Sequence, residues 1–132
     1  MAEKTVLAIE HDWRIRRLIQ ANLGAYGLEV RGAVNGRHAL HLLAEHAPDL
    51  ILVDADLPDM EVAHLLERMR AQLGERVPII ILLSEPPSRH MQKNGHRISY
   101  LLKPFAAPAL LQQVWDALSE SGPGDEHVNT HG

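Results

Sequence analysis

Two hydrophobic patterns alternate along the chain. Five short segments are almost continuously apolar and predict buried strands, over residues 4–10, 28–33, 49–54, 77–84 and 98–103. Such uninterrupted apolar runs are typical of strands that are covered on both faces of a parallel sheet. The segments between them carry apolar residues at helical spacing. Strands that alternate with helices predict an α/β protein, a doubly wound parallel sheet with helices on both faces.

Each of the first three predicted helices has one apolar face. The first begins after Asp12, a side chain suited to cap a helix N-terminus, and should bury Ile15, Leu18, Ile19 and Leu23. The second ends at Pro48, and its apolar face consists of Leu40, Leu43, Ala44 and Ala47. The face of the third consists of Val62, Leu65, Leu66, Met69 and Leu73.

The pattern weakens in the last third of the chain. Residues 85–97 contain two adjacent prolines and predict a fourth helix that is short or irregular. Residues 107–120 predict an amphipathic fifth helix, in which we expect Trp115 to pack inward. Residues 121–132 are polar and rich in glycine, and we expect them to form a flexible tail or linker after one domain over residues 1–120.

The composition is that of one globular domain. The 132 residues are 45% hydrophobic and 23% charged, and the net charge of −4 gives no reason to expect binding to nucleic acid or to an anionic membrane. The chain has no cysteine, which excludes disulfides and thiolate metal sites. The N-terminus lacks the apolar region of a signal peptide, so we expect a cytoplasmic location.

Chemically active side chains follow four of the five predicted strands. Because parallel strands end at one edge of the sheet, we expect these side chains to converge there. They are Glu10, His11 and Asp12 after the first strand, Asp54 and Asp56 at the third, Ser84 and Glu85 at the fourth, and Lys103 at the fifth. Acids, a hydroxyl and a lysine at one edge predict a functional site.

Four of these features, in this order, resemble a response-regulator receiver domain. They are the acidic end of the first strand, the stretch DLILVDADLPDM (49–60) around Asp54, the hydroxyl of Ser84, and the stretch YLLKPF (100–105). The resemblance covers residues 5–120, and RIRRLIQANL makes the chain look most like receivers of winged-helix transcription factors. It implies a five-stranded flavodoxin-like sheet of order 2-1-3-4-5.

The resemblance also implies a role for each site residue in phosphoryl transfer. Asp54 would be the nucleophile that takes a phosphoryl group from a histidine kinase. Lys103, preceding a cis peptide to Pro104, would pair with Asp54 and then with a phosphoryl oxygen. Ser84 would donate its hydroxyl to the phosphoryl group, and Tyr100 would be an aromatic switch that then turns inward.

Mg²⁺ is the cofactor that the resemblance implies, held by Glu10, His11, Asp54 and the backbone carbonyl of Asp56. At the position of His11 the family usually has an aspartate that binds Mg²⁺ directly. Imidazole is a poor ligand for Mg²⁺ and suits Zn²⁺, Cu²⁺ or Ni²⁺ better, so we expect weak Mg²⁺ binding. His11 leaves three interpretations open: a tolerated substitution, a degenerate receiver that works without phosphorylation, or a changed metal preference or pH sensing.

Other departures concern the loops around the site. Val62 stands where the family normally has a glycine. Glu85 stands where the family usually has a small residue, and its side chain either crowds the phosphoryl pocket or turns out to solvent. The segment from Ser84 to Tyr100 is shorter than in the family. The abbreviated fourth helix belongs to the face that receivers use for output, which leaves a homodimer through the fourth and fifth helices open.

Three functions therefore compete. The first is a phosphorylatable signalling domain, which takes part in its own phosphoryl transfer but is not otherwise an enzyme, with a histidine kinase as partner. The second is a pseudo-receiver, a protein-interaction module that does not depend on phosphate. The third is a different flavodoxin-like protein, such as a small phosphotransfer enzyme. The set of Asp54, Ser84 and Lys103 favours the first over the third.

Overall fold

The fold is a parallel α/β sandwich, in a computed structural model that describes residues 3–92 and 97–120. The strands are β1 (Thr5–Ile9), β2 (Glu29–Ala33), β3 (Leu50–Asp54), β4 (Ile79–Leu83) and β5 (Ile98–Leu102). The helices are α1 (Trp13–Gly24), α2 (Gly36–Glu45), α3 (Val62–Leu73), the four-residue α4 (Arg89–Gln92) and α5 (Ala107–Glu120). The predicted tail, residues 121–132, lies outside the described residues.

All strand pairs in the sheet are parallel, and the order is β2-β1-β3-β4-β5. This confirms the predicted fold, its strand order and the short fourth helix. Among the described residues, no helix combines the length and the apolar character needed to cross a membrane.

The sheet separates two hydrophobic cores. Every position of β1, β3 and β4 is buried, as the continuous apolar runs predict for strands covered on both faces. Because successive side chains of a strand point to opposite faces, Leu7 of β1 packs in the core with α2 and α3, and Val6 packs in the core with α1 and α5. The two cores hold the three central strands rigidly, and their carboxyl ends carry the site.

Four apolar residues that the pattern assigned to the core are exposed: Leu18, Ala44, Ala47 and Trp115. These predictions are wrong because each buried stripe is narrower than the apolar pattern. In α2 the buried stripe runs through Ala39 and Leu43, so Ala44 lies one position beyond it, and Ala47 follows the end of the helix. In α5, Trp115 lies one position past the buried Val114 and is 38% exposed.

The loop between β3 and α3 is fixed to the N-terminus of α2. The carboxylate of Asp59 accepts hydrogen bonds from the backbone N–H groups of Gly36 and Arg37, both at 2.9 Å. Free N–H groups at a helix N-terminus favour a negative charge, so this contact satisfies two donors at once. A side chain at position 36 would collide with Met60, which lies in the same loop as Asp59, since a Cβ atom at position 36 would lie 2.7 Å from Cγ of Met60. The loop that follows Asp54 is thereby held in place.

Candidate functional site

The site lies at the carboxyl edge of the sheet. The neighbouring strands β1 and β3 pair Ile9 with Val53, so the residues that follow, Glu10 and Asp54, stand side by side. Lys103 follows β5, which runs in the same direction two strands away from β3. The predicted convergence of acids and lysine therefore results from the strand register and the common strand direction.

Two buried carboxylates share one ammonium group. Glu10 and Asp54 are 0% and 1% exposed, and Lys103 is 17% exposed. The Nζ atom of Lys103 donates to Oδ1 of Asp54 at 3.2 Å and lies 3.1 Å from Oε1 of Glu10. The contact with Glu10 is an ion pair without hydrogen-bond geometry, and Oε1 has no hydrogen-bond partner. The buried cluster therefore has more carboxylate than positive charge to balance it.

His11 contacts Oδ2, the other carboxylate oxygen of Asp54. Its Nδ1 atom is 2.9 Å from Oδ2 of Asp54 and 3.8 Å from Oε2 of Glu10. Its side chain is 50% exposed, so the imidazole forms the solvent-facing side of the cluster. On the inner side, Oδ1 of Asp54 also accepts a hydrogen bond from the backbone N–H of Asp56 at 2.9 Å. Both oxygens of Asp54 are therefore engaged.

The two neighbouring carboxylates have pKa values that are shifted in opposite directions. Burial, together with the hydrogen bond and charge of Asp54, raises the pKa of Glu10 to about 7, although Lys103 acts in the opposite direction. Burial also opposes ionisation of Asp54, but the N–H of Asp56 and the hydrogen bonds of Glu10 and His11 lower its pKa. Of the two acids, Asp54 is therefore the one that stays an anion, as a nucleophile must.

The ammonium of Lys103 is held in its charged form. Burial opposes that charge, but the close negative charges of Glu10 and Asp54 and the hydrogen bond to Asp54 outweigh it and raise the pKa of Lys103. The peptide bond between Lys103 and Pro104 is cis, as predicted.

Arg16 is a contributor that the sequence pattern did not reveal. Its Nη1 atom donates to the backbone carbonyl of Glu10 at 2.7 Å and reaches the carbonyl of His11 at 3.5 Å. The side chain crosses Gly32, where a Cβ would lie 3.0 Å from Cδ of Arg16. Arg16 thus fixes the backbone that carries two site residues. The only signal in the sequence is its position one turn into the helix that follows them.

The other predicted site residues surround this cluster. Asp56 is exposed and reaches Asp54 through its backbone N–H. Ser84 and Glu85 are also exposed at the end of β4, and within the described residues Ser84 makes no hydrogen bond to Asp54. Tyr100 is partly buried rather than exposed, and its hydroxyl donates to the carbonyl of Met91 in α4 at 2.6 Å.

The described residues offer ligands for a divalent cation. Glu10, His11 and Asp54 each present one ligand atom, and these atoms lie within 4.8 Å of one another. The unpartnered Oε1 of Glu10 and the excess of buried carboxylate are features that a cation would compensate. The two carboxylates suit Mg²⁺, but the imidazole of His11 does not, since Mg²⁺ prefers oxygen ligands. The set fits a divalent cation and fits Mg²⁺ only in part.

The fold and this edge define an α/β protein of flavodoxin-like topology with an acidic, lysine-containing site. Comparisons with known proteins narrow the class. Residues 6–115 match the family model of the response regulator receiver domain. The chain therefore belongs to the response-regulator receiver domain family.

The related proteins are response regulators. The chain is 31% identical over 131 residues to the phosphate regulon transcriptional regulatory protein PhoB of Pseudomonas aeruginosa, covering 97% of this chain and 57% of PhoB. It is 29% identical over 109 residues to the transcriptional regulatory protein KdpE of Mycobacterium tuberculosis, covering 83% of this chain and 48% of KdpE. The chain thus spans about half the length of these two relatives.

Solved receiver structures have the same fold. The chemotaxis response regulator CheY4 of Vibrio cholerae superposes with a TM-score of 0.80 at 27% identity, covering 88% of this chain and 99% of that one. The signal receiver domain of an HD domain-containing protein from Pseudomonas fluorescens superposes with a TM-score of 0.82 at 26% identity, covering 97% of this chain and 96% of that one.

Proposed function

We propose that this chain is a phosphoacceptor receiver domain that takes a phosphoryl group on Asp54 from a histidine kinase. The observation that carries the proposal is the pair of Asp54 and Lys103. A buried carboxylate with a lowered pKa, at the end of the central strand, lies 3.2 Å from a partly buried ammonium. The carboxylate is kept anionic, and the ammonium lies where an incoming phosphoryl group would bring negative charge.

The proposed reaction joins a carboxylate oxygen of Asp54 to phosphorus. The P–N bond of the kinase phosphohistidine breaks, its electron pair stays on the imidazole nitrogen, and an acyl phosphate forms on Asp54. Oδ1 accepts hydrogen bonds from Lys103 and from the backbone of Asp56, which leaves Oδ2 as the attacking oxygen. His11 is bonded to Oδ2 and half exposed, so it moves aside as the phosphoryl group enters.

Lys103, Ser84 and Tyr100 transmit the modification in this proposal. Lys103 forms a contact with one phosphoryl oxygen in place of part of its contact with Asp54. The hydroxyl of Ser84 donates a hydrogen bond to another phosphoryl oxygen. Tyr100 then gives up its hydrogen bond to Met91 and turns toward the space that Ser84 vacates. The altered surface of α4, β5 and α5 changes a protein contact, for which a homodimer is one arrangement.

Mg²⁺ would be held by Glu10, Asp54 and the carbonyl of Asp56, and weakly, because His11 supplies a neutral nitrogen where a hard anionic oxygen is preferred. When bound, such an ion neutralises charge on the phosphoryl oxygens.

A pseudo-receiver that works without phosphate is the second candidate. The observation in its favour is the 2.9 Å contact between His11 and Asp54, because it occupies the attacking oxygen without any added ligand. In that case the cluster would be a permanent structural element, and Asp54 would not accept a phosphoryl group at all.

Intact-mass measurement after treatment with acetyl phosphate separates the two candidates. The wild type, incubated with Mg²⁺ or Mn²⁺, should gain one phosphoryl mass, and Asp54→Asn should gain none. Asp116→Asn is the matched control, since Asp116 is an exposed acid on α5, and it should be labelled like the wild type. An unlabelled wild type with either ion would favour the pseudo-receiver, and labelling of Asp54→Asn would place the modification elsewhere.

A further inference from the structure

The acidic cluster has two sides with different partners. On the inner side, Oε1 of Glu10 and Oδ1 of Asp54 lie 3.1 Å and 3.2 Å from the ammonium of Lys103. On the outer side, Oε2 of Glu10 and Oδ2 of Asp54 lie 3.8 Å and 2.9 Å from Nδ1 of His11. One nitrogen and two carboxylate oxygens thus surround a point on the side of the cluster that Lys103 does not occupy.

The buried charge calls for a second cation on that side. Glu10 is completely buried and its Oε1 has no hydrogen-bond partner, and Oε2 accepts only a long bond of 3.2 Å from the backbone N–H of Asp12. A fully buried carboxylate normally has several strong partners. Lys103 is one positive charge shared between two carboxylates, so the cluster lacks one positive charge when both are ionised, and Glu10 has only the one long hydrogen bond from Asp12.

The spacing of the three ligand atoms suits a metal that accepts imidazole. Ligand atoms bound to a tetrahedral zinc ion are about 3.4 Å apart. The two distances from Nδ1, 2.9 Å and 3.8 Å, bracket that value, and all three ligand atoms fall within 4.8 Å. The imidazole is half exposed, so an ion can enter from solvent and water can complete its coordination.

We propose that Glu10, His11 and Asp54 form a binding site for a first-row transition-metal dication of the Zn²⁺ and Co²⁺ type, which is preferred to Mg²⁺. Imidazole binds these ions well and Mg²⁺ poorly, whereas carboxylates bind both. His11 binds as the neutral tautomer, with Nδ1 on the metal and the proton on Nε2 in solvent. The inference deepens the proposed function, since it specifies the ion beside the phosphoacceptor, and it rests on that function only for its biological role.

Metal titration of the 132-residue chain tests the inference without any phosphoryl donor. Zn²⁺ and Mg²⁺ affinities are measured by calorimetry, and Co²⁺ binding is followed by its visible absorption. His11→Ala removes the proposed ligand, and His41→Ala is the matched control, an exposed imidazole on α2 that also lies near a carboxylate, 3.7 Å from Glu45. Circular dichroism checks that both variants fold, as expected for half-exposed or exposed positions.

The wild type should bind one Zn²⁺ or Co²⁺ at the site, with Zn²⁺ affinity at least about tenfold above that for Mg²⁺. His11→Ala should lose about 10- to 100-fold in Zn²⁺ and Co²⁺ affinity, and His41→Ala should lose none. Equal Zn²⁺ affinities in His11→Ala and the wild type would overturn the inference and assign binding to other histidines. Absent binding, or a preference for Mg²⁺, would also overturn it. Metal binding without phosphorylation would reject only the proposed function, and phosphorylation without this preference would reject only the inference.

Discussion

At the scale of single residues, we expect His11 to determine which metal ion the site binds. It places a neutral nitrogen beside two buried carboxylates, where the family usually has an anionic oxygen, and its Nδ1–H donates one hydrogen bond to Asp54 at 2.9 Å. An oxygen ligand at this position would add negative charge that Mg²⁺ could neutralise. In the absence of metal the same charge would lie close to Asp54 and Glu10 and repel both.

His11→Asp should therefore tighten Mg²⁺ binding by about tenfold, because ligand charge raises the affinity of a site for hard cations. Without metal, it should lower the free energy of unfolding by about 1 kcal/mol, since the bond to Asp54 is lost. Titration with Mg²⁺ and urea unfolding in chelator measure the two effects. His11→Asn, with a neutral oxygen, should have an intermediate Mg²⁺ affinity. Equal Mg²⁺ affinities of wild type and His11→Asp would mean that His11 points away from the metal.

The sequence identified Glu10, Asp54 and Lys103 as neighbours because each lies at the carboxyl end of a strand whose direction is predictable. It could not show that His11 would contact Asp54 rather than solvent, since a rotamer beside the site depends on packing. The contact of Arg16 with the carbonyl of Glu10 was also out of reach, because a charged residue on an amphipathic helix is normally assigned to the solvated face.

At the scale of elements, the loop after β3 is positioned by α2. Asp59 bonds two N–H groups at the start of α2, although it belongs to a different part of the chain. Burial opposes ionisation of Asp59, but these hydrogen bonds and the charge of Arg37 together outweigh it and lower the pKa of Asp59 below the usual 3.8. A lowered acid pKa stabilises the folded state above the unfolded value, and the stabilisation is lost as pH falls through the folded value.

Asp59→Ala should lower the free energy of unfolding by about 1 kcal/mol at neutral pH, the usual cost of losing a helix cap. The difference from wild type should stay constant down to about pH 4 and narrow below it, as Asp59 becomes protonated. Urea unfolding at a series of pH values measures this. Glu61→Ala is the control, because Glu61 lies in the same loop and makes no side-chain cap to α3. A gap that persists in strong acid would show that charge is not involved.

Helix boundaries and faces were only partly predictable. The buried face of α3 matches the pattern at Leu65, Leu66 and Met69. Leu18 and Trp115 do not match, since apolar residues at the edge of a buried stripe remain exposed when no further element covers them. The hydrophobic periodicity predicts, to within one residue, which face of a helix is buried. Tertiary packing decides how wide that buried face is.

At the scale of the whole molecule, the proposed switch links the site to α4 through Tyr100. Beryllofluoride mimics the phosphoryl group. At saturation, in the presence of Mg²⁺, it should break the hydrogen bond of Tyr100 to Met91 and shift the ring resonances of Tyr100 in NMR spectra of tyrosine-labelled protein. The chain has two tyrosines, and Tyr26, 59% exposed in the turn after α1, is the internal control. If Tyr100 keeps its signal in a complex that forms on wild type and not on Asp54→Asn, the switch does not use this residue.

The central claim is that Asp54 carries the phosphoryl group, and localisation of the modification tests it most directly. Borohydride reduces an acyl phosphate and marks the carboxylate that held it, so peptide mapping of protein treated with acetyl phosphate and then borohydride identifies the residue. We predict the mark on Asp54 alone, within the peptide that contains residues 49–60. A mark on Glu10, on another acid, or on no carboxylate of a phosphorylated chain would contradict the account.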